Sequence, residues 1–260
     1  MIILIHTSKT MRPPETDGSL YQRPELIAQA KQLDSYIKTL SVNQIAKIMQ
    51  ISNKLATKTH DLIAGWTDKP EQQRSAIDSF LGDIYSGLQV QTWTKADRDY
   101  ANQHLKILSG LYGILRPLDT IYPYRLEMGY RLPDKRFSNL YKFWGDKIVK
   151  TLPTNQPIIN LAAIEYSKVI TDYLDNSKII SPAFLTHSPK TNEPTFVVVH
   201  AKIARGAFAG WLIKNQIEDL SKLKDFNELS YEYSEELSTP NTPTFVCKSF
   251  GGIGLSVRLT

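Results

Sequence analysis

The stretch Leu108–Leu132, LSGLYGILRPLDTIYPYRLEMGYRL, gathers groups able to hold an anion or move a proton. Gly110 and Gly113 stand three apart. Glycines let a backbone turn tightly and approach a phosphate closely, and N–H groups at a following helix start point at such a charge. The same Gly-Leu-Tyr-Gly also suits the turn that ends a helix. From Leu105 to Arg136 the basic residues Lys106, Arg116, Arg125, Arg131, Lys135 and Arg136 outnumber the acidic Asp119, Glu127 and Asp134, a local charge of +3. Tyr122, Tyr124 and Tyr130 interleave with them. Basic and flat aromatic side chains in alternation suit a groove that tracks a nucleic-acid backbone, and equally an ordinary exposed face.

The chain that must position these groups has 260 residues, 42% hydrophobic and 22% charged, with a net charge of +5. That is the composition of a globular protein large enough for a full core, with a mild attraction for polyanions. A lone Cys247 excludes an internal disulfide and a Cys-rich metal site. It reads as a small buried group in the strand-like TPTFVCKSF, in a reducing cytoplasm. His6, His60, His104, His187 and His200 show neither metal-ligand spacing nor a two-His-one-carboxylate pattern, so no metal and no cofactor are expected. The apolar opening MIILI is too short for a signal peptide or a membrane span, which predicts a cytoplasmic protein without a membrane partner.

MIILI reads as a buried strand, followed by a Pro- and Gly-rich loop from Met11 to Arg23. Leu26, Ala30, Leu33, Ile37 and Leu40 mark one face of a helix. Ser41-Val-Asn-Gln44 is a capping box opening the next, and a third helix is predicted from Glu71 to Leu81. Thr94 with Asp97 signals an N-terminus for a helix running to about Leu108. Another spans Leu140 to Leu152, ahead of Pro153. PIINLA, KIISPAFL, PTFVVVH and TPTFVCKSF read as strands, and Lys202 to Ile217 as a helix. The terminal FGGIGLSVRLT does not lie between a strand and a crossover helix, so it is no dinucleotide fingerprint. Trp66, Trp93, Trp144 and Trp211 read as core anchors. Helices lead early and strands late, which predicts one mixed α/β (α+β) domain over residues 1–260. In that layout Gly110–Gly113 follows one helix and precedes another after Pro117, a helix-hairpin-helix element over about residues 98–130.

LSGLYGILRPLDTIYPYRLEMG closely resembles the signature block of the YaaA family of bacterial peroxide-stress proteins. FLGDIYSGL (Phe80–Leu88), FWGD (Phe143–Asp146), NLAAIEY (Asn160–Tyr166) and AKIARG (Ala201–Gly206) are similar to further family blocks in the same order. His6-Thr-Ser-Lys-Thr10 stands where the family usually has Ser-Pro-Ala-Lys-Thr. Ala163 stands at a usual Ser, Ile203 at a usual Lys, and ELSY at a usual Glu-Gly-Tyr. The resemblance implies a role in surviving hydrogen peroxide by limiting unincorporated iron and oxidative damage. It also implies a mixed α/β fold with a helix-hairpin-helix beside a positively charged cleft, and binding of duplex and distorted DNA. It brings no established reaction.

Two functions follow as expectations. In the first, DNA is the partner. Lys106, Ser109, Gly110, Gly113, Arg116, Arg125, Lys202 and Arg205 contact its backbone, with strong salt dependence and little sequence specificity. In the second, polar residues that a backbone binder does not need form a pocket: Lys9, Arg125, Glu127, Asp146, Asn160, Glu165, Lys202 and Arg205, accompanied by Thr10, Asp83, Tyr85 and Tyr166. Lys9 and Lys202 follow predicted strands and Asn160 stands at the end of PIIN, positions where α/β folds open a ligand crevice. Cations and carboxylates in such a pocket are the ingredients of acid–base chemistry on a nucleoside, nucleotide or other small anion. A buried ion-pair network holding the layers together is the alternative for the same residues.

Overall fold

The computed structural model describes residues 1–13, 21–69, 73–153 and 155–255. Its central strand β1 (Ile2–His6) is buried along its whole length, as expected of a strand covered on both faces. It pairs in parallel with β5 (Leu105–Ser109) on one side and β8 (Ile158–Asn160) on the other. β9 (Ile179–Ile180) extends the sheet in parallel beyond β8, and β6 (Gly113–Leu115) closes the other edge antiparallel to β5. A second sheet has the order β11 (Pro194–Thr195), β10 (Ala183–His187), β13 (Thr242–Cys247), β12 (Glu232–Thr239). Two short ladders join β2 (Thr10–Met11) to β4 (Phe80–Leu81) and β3 (Arg74–Ser75) to β7 (Thr120–Ile121). Helices and sheets are mixed, as the pattern predicts.

Local signals fix several helices where they were expected. In α1 (Ile27–Ile37), Ala30, Leu33 and Ile37 are buried on one face. α2 (Val42–Met49) opens on the Ser41–Gln44 capping box, and α6 (Lys95–His104) on a second box, Thr94 with Asp97. Between them lie α3 (Asn53–Ala64), α4 (Ala76–Ser79) and α5 (Asp83–Leu88). α3 was not foreseen. Of the expected helix over 71–81, residues 71 and 72 lie outside the described residues, and the rest divides into β3, α4 and β4. The predicted loop from Met11 begins inside β2, and its residues 14–20 are also outside the described set.

The most consequential correction concerns α6. It stops at His104, where Leu105 turns to an extended backbone, and Leu105–Ser109 becomes the strand beside β1. Leu105, Ile107 and Leu108 are fully buried there. Pairing with a buried parallel neighbour outweighs the continuing helical spacing, because intrinsic propensities are small beside tertiary packing. Gly110–Tyr112 therefore joins two antiparallel strands, Ser109 opposite Gly113. The element is a β-hairpin, not a helix-hairpin-helix.

The glycines serve packing in that hairpin. A Cβ on Gly110 would lie 2.2 Å from the Leu126 carbonyl oxygen. Gly113 has φ +72°, and its own Cβ would meet the Trp144 ring at 2.8 Å. A left-handed residue is what a three-residue hairpin asks for at this point.

The expected helix over 140–152 is broken after α7 (Leu140–Trp144) by Gly145, whose φ is +50°. KIISPAFL divides into β9 and β10 around Pro182. PTFVVVH is a strand only at Pro194–Thr195, since α9 (Val198–Lys214) already includes Val198–His200. α9 crosses α5 at very short range. A Cβ on Gly87 would lie 2.0 Å from the Ile203 carbonyl oxygen, and one on Gly206 would lie 1.9 Å from that of Ile84. α8 (Ile164–Thr171) follows β8 directly. Trp66, Trp93 and Trp144 are buried, Trp211 packs at the edge of the core, and Cys247 is buried in β13. No helix among the described residues is long and apolar enough to cross a membrane.

Candidate functional site

From β1 the chain travels to β5 on one side of it and then to β8 on the other. Parallel strands whose order reverses in this way leave a crevice outside their carboxyl ends. The ends here carry His6 closing β1 and Thr7 just after it, Ser109 on β5 and Asn160 on β8. Asn160 turns the chain into α8: its Oδ1 accepts the Ala162 N–H at 3.1 Å, and its Nδ2 donates to Ser181 at 3.3 Å.

His6 is the best-fixed of these groups. The Ala163 N–H donates to its Nδ1 at 3.2 Å, which leaves the ring proton on Nε2. The ring stacks on Tyr166 with centroids 4.8 Å apart, and the Tyr85 hydroxyl donates to the His6 carbonyl at 3.1 Å. Burial, and then the charges of Arg205 and Lys202, lower its pKa to about 3, so the imidazole is neutral.

A tyrosine-rich floor lies beside it. Thr7 donates to the Tyr166 hydroxyl at 3.3 Å, and the Ser109 and Tyr124 hydroxyls are 2.5 Å apart. Burial pushes the Tyr124, Tyr166 and Tyr85 phenols well above their ordinary range. They are neutral hydrogen-bonding groups at any physiological pH.

Glu127 enters from the irregular segment after Tyr124 and is only 6% exposed. Burial raises its pKa. The nearby Lys9 charge, the Tyr166 hydroxyl and Arg125 oppose that shift, and Glu165 adds to it. Glu165, in the first turn of α8, accepts the Gly129 N–H at 2.9 Å, and the Tyr141 hydroxyl donates to its carbonyl at 2.8 Å. One carboxylate thus ties down the loop, while the other faces a cleft of about 900 Å³ bordered by Lys9, Tyr130, Arg131 and the end of α2. The Nε of Arg125, the Tyr130 hydroxyl and the Nε of Arg205 are buried without hydrogen-bond partners. Buried polar groups are normally satisfied; Tyr130 and Arg125 lie beside each other, and the Arg205 Nε is left open to an acceptor from outside the chain. A smaller hollow of about 340 Å³ lies over Tyr85, but the carboxylate on its wall, Asp78, is held by both terminal nitrogens of Arg98 at 2.7 and 3.0 Å.

The expected pocket residues do not all meet. Lys9, Glu127 and Glu165 line the cleft and the Arg125 charge acts on Glu127, while the charges of Lys202 and Arg205 act on His6. Asp146 is exposed and paired with Lys150 at 2.6 Å. Its neighbour Gly145 lies near the hydroxyl of Tyr173, a residue beyond the C-terminal end of α8, whereas Glu165 is in that helix's first turn. Thr10 is exposed in β2, and Asp83 opens α5.

The expected DNA contacts are largely turned inward. Ser109 is fully buried and accepts the Tyr112 N–H at 2.9 Å, and the Gly110 carbonyl accepts the Trp144 indole N–H at 3.1 Å. Arg116 grips buried Asp119 through Nε and a terminal nitrogen at 3.0 and 2.7 Å and donates to the Arg23 carbonyl at 3.0 Å. Lys106 lies partly buried beside them, its pKa lowered by burial and by Arg116. One face of the Arg116 guanidinium is thus committed to Asp119 and the Arg23 carbonyl.

Sequence reasoning passed over His6, Thr7 and Tyr124. The signal for the first two was their place directly after a fully apolar strand.

The chain matches the family described as peroxide stress protein YaaA over residues 1–237. It is 57% identical over 258 residues to a UPF0246 protein of Salinispora tropica, covering 99% of this chain and 98% of that protein. It is 40% identical over 253 residues to a UPF0246 protein of Marinomonas sp., covering 95% and 96%. The chain belongs to the peroxide stress protein YaaA family.

Proposed function

We propose that this YaaA-family protein is an enzyme acting on a small molecule at the carboxyl edge of its parallel sheet, with Glu127 as the group that exchanges a proton with the substrate. The observation carrying this reading is a buried carboxyl with a raised pKa that opens on a cleft large enough for a ligand. A general acid–base group works best when its pKa approaches the working pH, and burial is the usual way to bring a glutamate there. Lys9 stands where it stabilises the charged form after proton transfer, and the Tyr166 hydroxyl aligns the carboxyl. Glu165 keeps the loop carrying Gly129 in place.

DNA binding is the activity the family resemblance implies, and it draws less support. Ser109 and the Gly110 carbonyl spend their polar groups inside the protein, Gly113 is paired in the hairpin ladder, and Arg116 is tied to Asp119. On the enzyme reading, the effect on iron implied by the same resemblance is exerted through a metabolite.

The test is a thermal-shift screen of nucleosides, nucleotides and small carboxylates, followed by turnover assays on whatever binds. A ligand that stabilises the wild type and is consumed by it, but not by Glu127→Gln, is the expected result. Absence of any small ligand, together with salt-dependent binding of a duplex or four-way junction weakened by Lys202→Ala, would replace this reading with the DNA one.

A further inference from the structure

His6 is held from one side only. The Ala163 N–H occupies Nδ1 at 3.2 Å, so Nε2 carries the proton, and no described residue accepts from it. Lys202 and Arg205 stand nearby, one turn apart on α9 and therefore on one face of it. The tight α5–α9 crossing puts them there. Ile203 and Gly206 press on α5, and α5 itself reaches β1 through Tyr85 and the His6 carbonyl.

Neither cation has a carboxylate within ion-pair distance among the described residues, and the Arg205 Nε is buried with no acceptor. Burial lowers the pKa of Arg205, and both cations depress that of His6. A partly buried cation is ordinarily paired. The His6 Nε2–H and the Arg205 Nε–H are thus buried donors without acceptors among the described residues, and Lys202 is close enough for its charge to act on His6.

We propose that His6 Nε2, Lys202 and Arg205 form a subsite for the anionic group, phosphate or carboxylate, of a small substrate. This rests on the small-molecule reading above and adds the substrate class: the reacting part lies at Glu127, by the Tyr166 hydroxyl, and the charged part at His6, which stacks on the Tyr166 ring. The anion belongs to a small molecule, not to a nucleic-acid backbone, because His6 is only 9% exposed. A duplex phosphate stays at the duplex surface and cannot follow it inward.

The experiment is a titration of the full-length protein, 15N-labelled at histidine, with inorganic phosphate and, separately, with acetate. The expected result is a saturable shift of the His6 ring nitrogens and a rise in the His6 pKa, because the anion offsets the two cations. Lys202→Gln and Arg205→Lys should each weaken binding about tenfold, the scale of one charge-assisted hydrogen bond. Lys150→Gln, at an exposed pair elsewhere, should change it less than twofold. The tighter of the two anions identifies the group. Amide spectra of the variants check that the fold is kept, and Lys202→Gln alters only a half-buried side chain.

The subsite is overturned if neither anion moves His6 at high millimolar concentration, or if Lys150→Gln weakens binding as much as Lys202→Gln. It is also overturned if a short duplex displaces phosphate from His6. Glu127, followed by 13C in the same samples, reports separately. An ordinary glutamate titration there, with phosphate still bound at His6, removes the proton-transfer reading and keeps the subsite.

Discussion

The β5–β6 hairpin and the crevice at the strand ends share one sheet and meet at Ser109 and Tyr124, yet they treat polar groups in opposite ways. In the hairpin, Ser109 bonds Tyr124 and the Tyr112 N–H, the Gly110 carbonyl receives the Trp144 indole, and the Arg116 charge is closed on Asp119. In the crevice, Arg205 and Arg125 have buried unpartnered Nε atoms, and Glu127 carries a raised pKa. Satisfied groups hold a fold together, while unsatisfied ones in a cleft cost stability and are tolerated at functional sites. Basic and aromatic residues along one stretch of sequence therefore served two purposes, and only their partners tell which is which.

If the hairpin is structural, breaking it is costly. Gly110→Ala drives a Cβ into the Leu126 carbonyl, so a loss of about 4 kcal/mol or failure to fold is expected, measured by urea unfolding. A near-neutral result would show that this backbone contact is slack.

Arg116→Ala leaves the Asp119 carboxylate, 1% exposed, without its partner, and should cost about 3 kcal/mol. Burial already raises the Asp119 pKa despite Arg116, so replacing both residues by apolar ones should recover part of the loss. If Arg116→Ala instead weakens a ligand and spares stability, the two regions have been assigned the wrong way round.

The crevice should show itself through pH. The folded-state pKa of His6 is depressed to about 3, so its contribution is present above the unfolded value near 6.5 and is lost as pH falls through that window. Between pH 7 and pH 5 the wild type should lose about 2 kcal/mol through this one group. His6→Gln should flatten the slope by that amount in paired urea melts. An unchanged slope would mean that His6 is not held neutral.

Glu127 has the opposite sign. Its raised pKa favours the folded state at low pH, and that contribution is lost as pH rises through the folded value. Glu127→Gln should therefore stabilise the protein above neutrality, by about 1 kcal/mol, while abolishing turnover. A destabilised variant would place Glu127 with the structural carboxylates such as Asp119.

The sequence alone determined what local interactions decide. Ser41 with Gln44 and Thr94 with Asp97 close their capping boxes within one turn. The face of α1 and the apolar run of β1 are set by periods of a few residues. Lys9 and Asn160 are marked by their position at the ends of apolar strands, and the structure places Lys9 on the cleft with Glu127, whereas Lys202, expected after a strand, lies inside α9. What only the tertiary structure decided depends on partners far along the chain. Leu105–Ser109 is a strand because β1, a hundred residues earlier, lies beside it. Val198–His200 is helical although its residues favour strands, since α9 is built on its contact with α5. His6 meets its partner at Ala163, 157 residues away, and Arg116 is removed from the candidate site by an aspartate in the core, while Arg205 is left without one. Capping and periodicity act over a few residues and can be read directly. Burial, pairing and the absence of a counter-charge arise only when the chain is folded, and those are the quantities that separate a structural arginine from one that awaits a ligand.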